Sequence, residues 1–183
     1  DFAKARRLFG LAASRGHAEA QLALGNMHCD GSARQKDLAE ARRLYGLAAE
    51  QGHVDAQVTL GTMLYYGAES GPADLATARR MYGLAAAQGH AEAQSELGNM
   101  HYNGDGGPQD YDEAMRLYGL AAERGYYEGV RRLGDMMHCK RLNVAYDCEP
   151  TARARAALVK SRRAEKMLEA TRRREQEAKQ TAA

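Results

Sequence analysis

The sequence predicts an all-α fold: a right-handed α/α superhelical solenoid of four helical hairpins, followed by a C-terminal helix. Three observations predict it. First, the chain repeats itself. The segments ARRLFGLAASRGHAEAQLALGNM, ARRLYGLAAEQGHVDAQVTLGTM, ARRMYGLAAAQGHAEAQSELGNM and AMRLYGLAAERGYYEGVRRLGDM begin at Ala5, Ala41, Ala78 and Ala114, at steps of 36, 37 and 36. Second, β-formers are scarce: there is no Ile and no Trp, and Val stands only at 54, 58, 130, 144 and 159. Ala, Leu, Arg, Glu and Gln, which favour helix, dominate instead. Third, each unit carries two helical stripes separated by a glycine, and one hairpin cannot bury both stripes alone.

The first helix of each unit starts at an aspartate, Asp1, Asp37, Asp74 or Asp110, whose carboxylate can cap the first turn. Asp37 with Glu40, and Asp110 with Glu113, have the spacing of a capping box. Ala41, Leu44, Tyr45 and Ala48 form its buried stripe, and Phe9, Tyr82 and Tyr118 fall on the Tyr45 position and read as core. Gly16, Gly52, Gly89 and Gly125 end the helix, since glycine takes the left-handed C′ conformation without steric cost. The second helix begins near Val54, with Asp55 (Glu19, Glu92 and Glu128 in the other units) in its first turn. Ala56, Leu60 and Leu64 face the core, and Gly61 predicts close approach of a neighbouring helix. A loop such as 67–73 closes the unit and takes the extra residue of the 37-residue step.

These residues carry a resemblance. The pattern A-x-x-L-Y-x-L-A-A-x-Q-G-H-x-x-A-Q-x-x-L-G-x-M resembles the Sel1-like repeat, a relative of the tetratricopeptide repeat, over about three quarters of the chain. The resemblance implies a scaffold or adaptor, rarely an enzyme. Two departures stand out. The family's frequent Trp before the Tyr is Leu8, Leu44, Met81 and Leu117, and its frequent Lys two positions after the Tyr is Leu11, Leu47, Leu84 and Leu120. Both widen the apolar stripe.

The expected organisation is four repeats over residues 1–140 (about 1–36, 37–73, 74–109 and 110–140), a linker at 141–149, and a basic helical extension at 150–183. Pro150 suits the first turn of that extension. Charge divides the same way: residues 1–150 hold 16 Lys+Arg against 20 Asp+Glu, whereas residues 151–183 hold 10 against 4. No stretch approaches the roughly 18 apolar residues of a membrane helix. The irregularly spaced Cys29, Cys139 and Cys148 make a poor disulfide framework and point to a reducing, intracellular compartment, cytoplasmic or organellar.

The candidate binding face is an arginine ladder. Arg7, Arg43, Arg80 and Arg116 share one repeat position, with Arg6, Arg42 and Arg79 beside them. At about 100° per residue, Arg43 lies opposite the core stripe. Gly10, Gly46, Gly83 and Gly119 share that face, although glycine inside a helix costs about 1 kcal/mol relative to alanine. In tetratricopeptide-like arrays the first helices line the concave surface. The expectation is a basic, glycine-floored groove for an acidic or extended partner segment, because the arginine fork binds carboxylate bidentately. The plainer alternative is a solvated face with local Glu40–Arg43 and Glu113–Arg116 pairs. The second candidate is the basic tail, including Arg162, Arg163, Arg172, Arg173 and Arg174, which suits phosphates or an acidic protein surface. It has no aromatic residue for base stacking.

Other constellations read as structural. His17, His53 and His90 follow the helix-ending glycines, which suits a turn. His138, Cys139 and Cys148 lack the four closely spaced ligands of a structural zinc site. The loop 103–110 lacks the bidentate Glu of a calcium loop and the Gly-Lys-Ser/Thr of a P-loop. No cofactor and no catalytic residue is expected. The expected function is a non-catalytic scaffold or adaptor in a multi-subunit assembly, with protein partners and no membrane. The alternative is a ribonucleoprotein or cytoskeletal-complex subunit anchored by the tail. A hydrolase resembling the cysteine-rich relatives fits less well, because those carry paired cysteines in every repeat.

Overall fold

A computed structural model describes residues 2–31, 36–67 and 71–142. Among them are eight α-helices and no strand: α1 (Phe2–Ser14), α2 (Ala18–Cys29), α3 (Leu38–Glu50), α4 (Val54–Tyr66), α5 (Leu75–Ala87), α6 (Ala91–Asn103), α7 (Tyr111–Glu123) and α8 (Tyr127–Leu142). The all-α hairpin array is therefore the fold. The chain forms two compact units, Asp1–Gly134 and Asp135–Ala183, and of the second the structure describes only the end of α8. The expected linker and basic extension, like Asp1, lie outside the described residues.

In the first unit each helix packs on the next in chain order from α1 to α7. The same turn joins each pair of helices within a repeat. In the second repeat His53 N donates to Ala48 O and Gly52 N to Ala49 O, with Gly52 at a φ of 86°. This is a Schellman motif, and it satisfies two carbonyls that the helix end leaves open. Equivalent bonds close the turns at Gly16, Gly89 and Gly125.

The aspartate caps form as the spacing predicts. Asp37, Asp74 and Asp110 accept from the backbone N–H of Glu40, Thr77 and Glu113. The reciprocal half of the capping box does not form. Glu40 and Glu113 instead hold Arg43 and Arg116 in bidentate pairs. The aspartate N–H groups run back to the previous repeat, Asp37 to His28 O and Asp110 to His101 O. The chain geometry thus offers these donors a carbonyl before a glutamate can reach them.

One core runs through α3 to α7, built on Ala41, Tyr45, Ala48, Ala56, Ala78, Tyr82 and Ala93. The repeat-to-repeat joint is a tyrosine laid on a glycine. A Cβ at Gly25 would stand 2.6 Å from the Tyr45 ring, one at Gly61 3.1 Å from Tyr82, and one at Gly98 2.8 Å from Tyr118. That is the close approach expected of Gly61. The buried hydroxyls are satisfied by the residue after the glycine: Asn26 accepts from Tyr45, Thr62 pairs with Tyr82, and Asn99 accepts from Tyr118. Burial pushes the Tyr82 phenol up to about 12, so it remains protonated. Phe9 departs from the expected core role. It is 38% exposed, against 1% for Tyr45, because no described helix packs in front of α1.

Candidate groove between successive first helices

The helical glycines of the first helices look onto open space. A Cβ at Gly10, Gly46, Gly83 or Gly119 would meet nothing within 4 Å. Two of them floor cavities. The cavity between α3 and α5 has about 610 Å³ and is lined by Gly46, Ala49, Leu60, Arg80, Met81 and Leu84, among others. The cavity between α5 and α7 has about 340 Å³ and is lined by Gly83, Ala86, Leu97, Arg116, Leu117 and Leu120, among others. Every residue in the second set is the repeat equivalent of one in the first. The array therefore builds one groove twice, one repeat apart. Its floor is glycine, its walls are Leu and Met, and its rim is Arg.

The two arginine rows separate. Arg43 and Arg116, each more than half exposed, are held by Glu40 and Glu113. Those hydrogen bonds keep both carboxylates below the usual range and raise both arginines. Arg80 differs, because Thr77 stands where Glu40 and Glu113 stand. Arg7 lies on α1, exposed, with Lys4 at that position. The neighbouring row turns away from the cavities. Arg79 donates to Asp105 O and Pro108 O and lies 2.7 Å from His101 Nδ1, which ties it to the connector of its own repeat. Arg42 lies against Gly71 of the connector before α5, where a Cβ would stand 2.7 Å from its Nη1. One residue further along a helix rotates the side chain by about 100°, which takes this row off the groove. Arg6 is exposed on α1. The tail arginines Arg162, Arg163, Arg172, Arg173 and Arg174 lie outside the described residues.

A glutamine ladder lines the same side and was not read from the sequence. Gln21, Gln57 and Gln94 are buried, and their amides donate to Ala13 O, Ala49 O and Ala86 O near the preceding helix ends. Each side-chain oxygen then accepts from the next repeat, Gln21 from Gln51, Gln57 from Gln88 and Gln94 from Arg124. The signal was available in the repeated Ala-Gln pair after each His. Val130 holds that position in the last repeat and is half exposed.

The histidines join repeats as well. His53 Nε2 lies 2.8 Å from Glu19, and His90 Nε2 3.8 Å from Asp55. They start the second helices, in keeping with a turn role. Among the described residues no group of three His, Cys, Asp or Glu side chains is placed to hold a metal ion, and no helix is long and apolar enough to cross a membrane.

Comparison with known proteins accounts for this architecture. The Sel1 repeat model matches residues 1–17, 18–53, 54–90 and 91–126. The first matched segment covers α1 alone, and the other three start at the second helices α2, α4 and α6, half a repeat out of phase with units counted from the aspartate caps. A protective antigen present in uropathogenic Escherichia coli strains and displaying an SLR fold is 37% identical over 71% of this chain, with a TM-score of 0.68. This chain spans only 28% of that protein's length. A Sel1 repeat protein from Oxalobacter formigenes is 31% identical, with 69% of this chain and 95% of that one covered and a TM-score of 0.63. The cysteine-rich protein B of Helicobacter pylori shares the fold at 20% identity and a TM-score of 0.55, over 71% of this chain and 92% of its own. No curated protein sequence matches. Sel1 repeats generally act as protein-interaction scaffolds without catalysis of their own. With its repeats matched over more than half its length, this chain belongs to the Sel1 repeat family.

Proposed function

We propose that the chain is a non-catalytic scaffold or adaptor within a larger multi-subunit assembly, and that it binds a partner protein along the groove between its first helices. One observation carries the reading. Glycine recurs at Gly10, Gly46, Gly83 and Gly119 with open space above each. Inside a helix each costs about 1 kcal/mol relative to alanine, and none of the four is required by packing or backbone conformation. A groove that must admit another chain accounts for all four. Arg80 and Arg116 edge its two cavities, Arg7 and Arg43 hold the same repeat position, and a preformed surface reduces the ordering cost of binding. Arg42 and Arg79 support the connectors rather than the groove.

The test is affinity capture from native lysate with the wild-type chain and with the double substitution Gly46→Leu, Gly83→Leu. The groove reading expects a stoichiometric partner that the double variant loses while its melting temperature holds. A partner retained by the variant sinks it. The second reading, a ribonucleoprotein or cytoskeletal subunit anchored by the tail, rests on the excess of Lys+Arg in residues 151–183. It expects capture to fail after nuclease or after truncation at Glu149.

A further inference from the structure

The two equivalent cavities differ at five repeat positions, Glu50/Ala87, Thr77/Glu113, Met81/Leu117, Ala87/Glu123 and Gln88/Arg124. Two of these, Thr77/Glu113 and Gln88/Arg124, leave the arginine of the α3/α5 cavity the more available. In the cavity between α5 and α7, the Arg116 guanidinium is neutralised by Glu113 at 2.6 Å. Arg124 enters the same cavity, donating to Leu120 O at 3.3 Å, and a Cβ at Gly89 would stand 3.1 Å from its Nη2. In the cavity between α3 and α5, Thr77 replaces that glutamate and Gln88 replaces that arginine. Gln88 lines that cavity with a neutral amide, which donates to Gly52 O and to Gln57 Oε1. The result is a cavity of about 610 Å³ against about 340 Å³, with the Arg80 guanidinium at its rim.

Three charged groups bear on this cavity. Arg80 lines it. Asp74 caps Thr77 N with its carboxylate, and that hydrogen bond first, then the Arg42 and Arg80 charges, hold its pKa below the ordinary value. Glu50 lines the cavity from the last residue of α3, where the helix dipole is already negative. The cavity therefore has a cationic rim on the α5 side, an apolar middle of Leu60, Met81 and the 43% exposed Leu84, and an anionic end. Such a site accepts one carboxylate next to one apolar side chain. Glu50 repels a run of negative charge, which disfavours a polyphosphate backbone there.

Resting on the groove reading above, we propose that the α3/α5 cavity is its selective site. It takes an extended protein segment in which an aspartate or glutamate adjoins a leucine-like residue, with Arg80 reading the carboxylate and Gly46 giving the backbone room. The equivalent cavity at α5/α7 contributes shape alone, since its arginine is already satisfied.

Fluorescence anisotropy with two labelled synthetic decapeptides tests this, one carrying a single Asp next to a Leu among Ala and Ser, the other with that Asp replaced by Asn. The wild-type chain is expected to prefer the Asp peptide about tenfold, the scale of one charge-assisted hydrogen-bonded pair. Arg80→Gln removes the preference, Arg116→Gln keeps it, and Gly46→Leu abolishes binding of both peptides. Gly46→Ala, measured alongside by thermal melting, confirms that the site folds with a substituted floor. If Arg80→Gln keeps the preference, or the wild type binds neither peptide or both alike, the assignment to Arg80 is overturned while the groove reading stands. If Gly46→Leu still binds the Asp peptide as the wild type does, the groove reading itself falls.

Discussion

A glycine in a helix has opposite consequences at two places in this chain, and the difference lies in what faces it. At Gly98 an added methyl would enter the Tyr118 ring, which cannot retreat because its hydroxyl donates to Asn99. Gly98→Ala is expected to destabilise by about 1–3 kcal/mol, the usual cost of overpacking. At Gly46 nothing lies within 4 Å, so Gly46→Ala is expected to stabilise by about 0.5–1 kcal/mol. Urea denaturation of the two variants checks both signs. Ser95 offers a third case. It is 0% exposed, and its hydroxyl has no hydrogen-bond partner among the described residues. Ser95→Ala is expected to stabilise by about 1 kcal/mol, since it removes a desolvated donor. A loss of stability in the same titration would refute this. At this scale the tyrosine–glycine pairing was legible because both residues recur at fixed steps. The glutamine ladder recurs at the same steps and was passed over, because a buried amide has no hydropathy signature. Phe9 holds the tyrosine position yet is exposed among the described residues, because in the other repeats that position is covered by the second helix of the unit before it.

Helix ends were legible almost to the residue, since aspartate before and glycine after each first helix act through backbone geometry alone. What the periodicity hid is how the connectors are held. Arg79 reaches the carbonyls of Asp105 and Pro108, while Tyr65 of the preceding repeat donates to the Asp105 carboxylate. The arginine contact recurs, since Arg42 lies against Gly71 as Arg79 lies against its own connector. A side chain turned to a connector carbonyl leaves no mark in the spacing, however, and the arginine beside the ladder looked like part of the ladder. This connector carries a pH dependence. Burial, and then the nearby Arg79 charge, hold the His101 pKa below its ordinary value. The unfolded chain therefore takes up a proton at a higher pH than the folded one. The stability that neutral His101 contributes is present above about 6.5 and is lost as pH falls below it. Between about pH 7.5 and about 5.5 the wild-type melting temperature is expected to fall relative to that of His101→Gln. Parallel melting curves for the two proteins would show otherwise.

Over the first compact unit, stability comes from joints between neighbouring repeats, as in other one-dimensional arrays. Asn26, Thr62 and Asn99 occupy the same place in the joint. Excising residues 37–73 should therefore bring Tyr82 onto Gly25 with Asn26 as its acceptor. The shortened chain is expected to stay helical and to unfold cooperatively, with a smaller urea m-value because less surface is buried. Loss of helicity by circular dichroism would mean that the joints are not interchangeable. The architecture was readable because repetition multiplies weak local signals. The binding face was only half readable, since charge at a repeat position does not say whether a neighbour pairs with it, as Glu40 and Glu113 do with Arg43 and Arg116, where Arg80 has Thr77 at that position. The tyrosine-on-glycine joint also bears on inheritance. Its two halves lie in different copies of the unit, yet every copy encodes the glycine and an aromatic ring, Tyr in the last three and Phe9 in the first. A recombination event that adds or drops one whole copy joins a matching pair wherever within the unit the crossover falls. The length of such a protein can therefore drift by whole units in a single event, without passing through a chain that cannot fold.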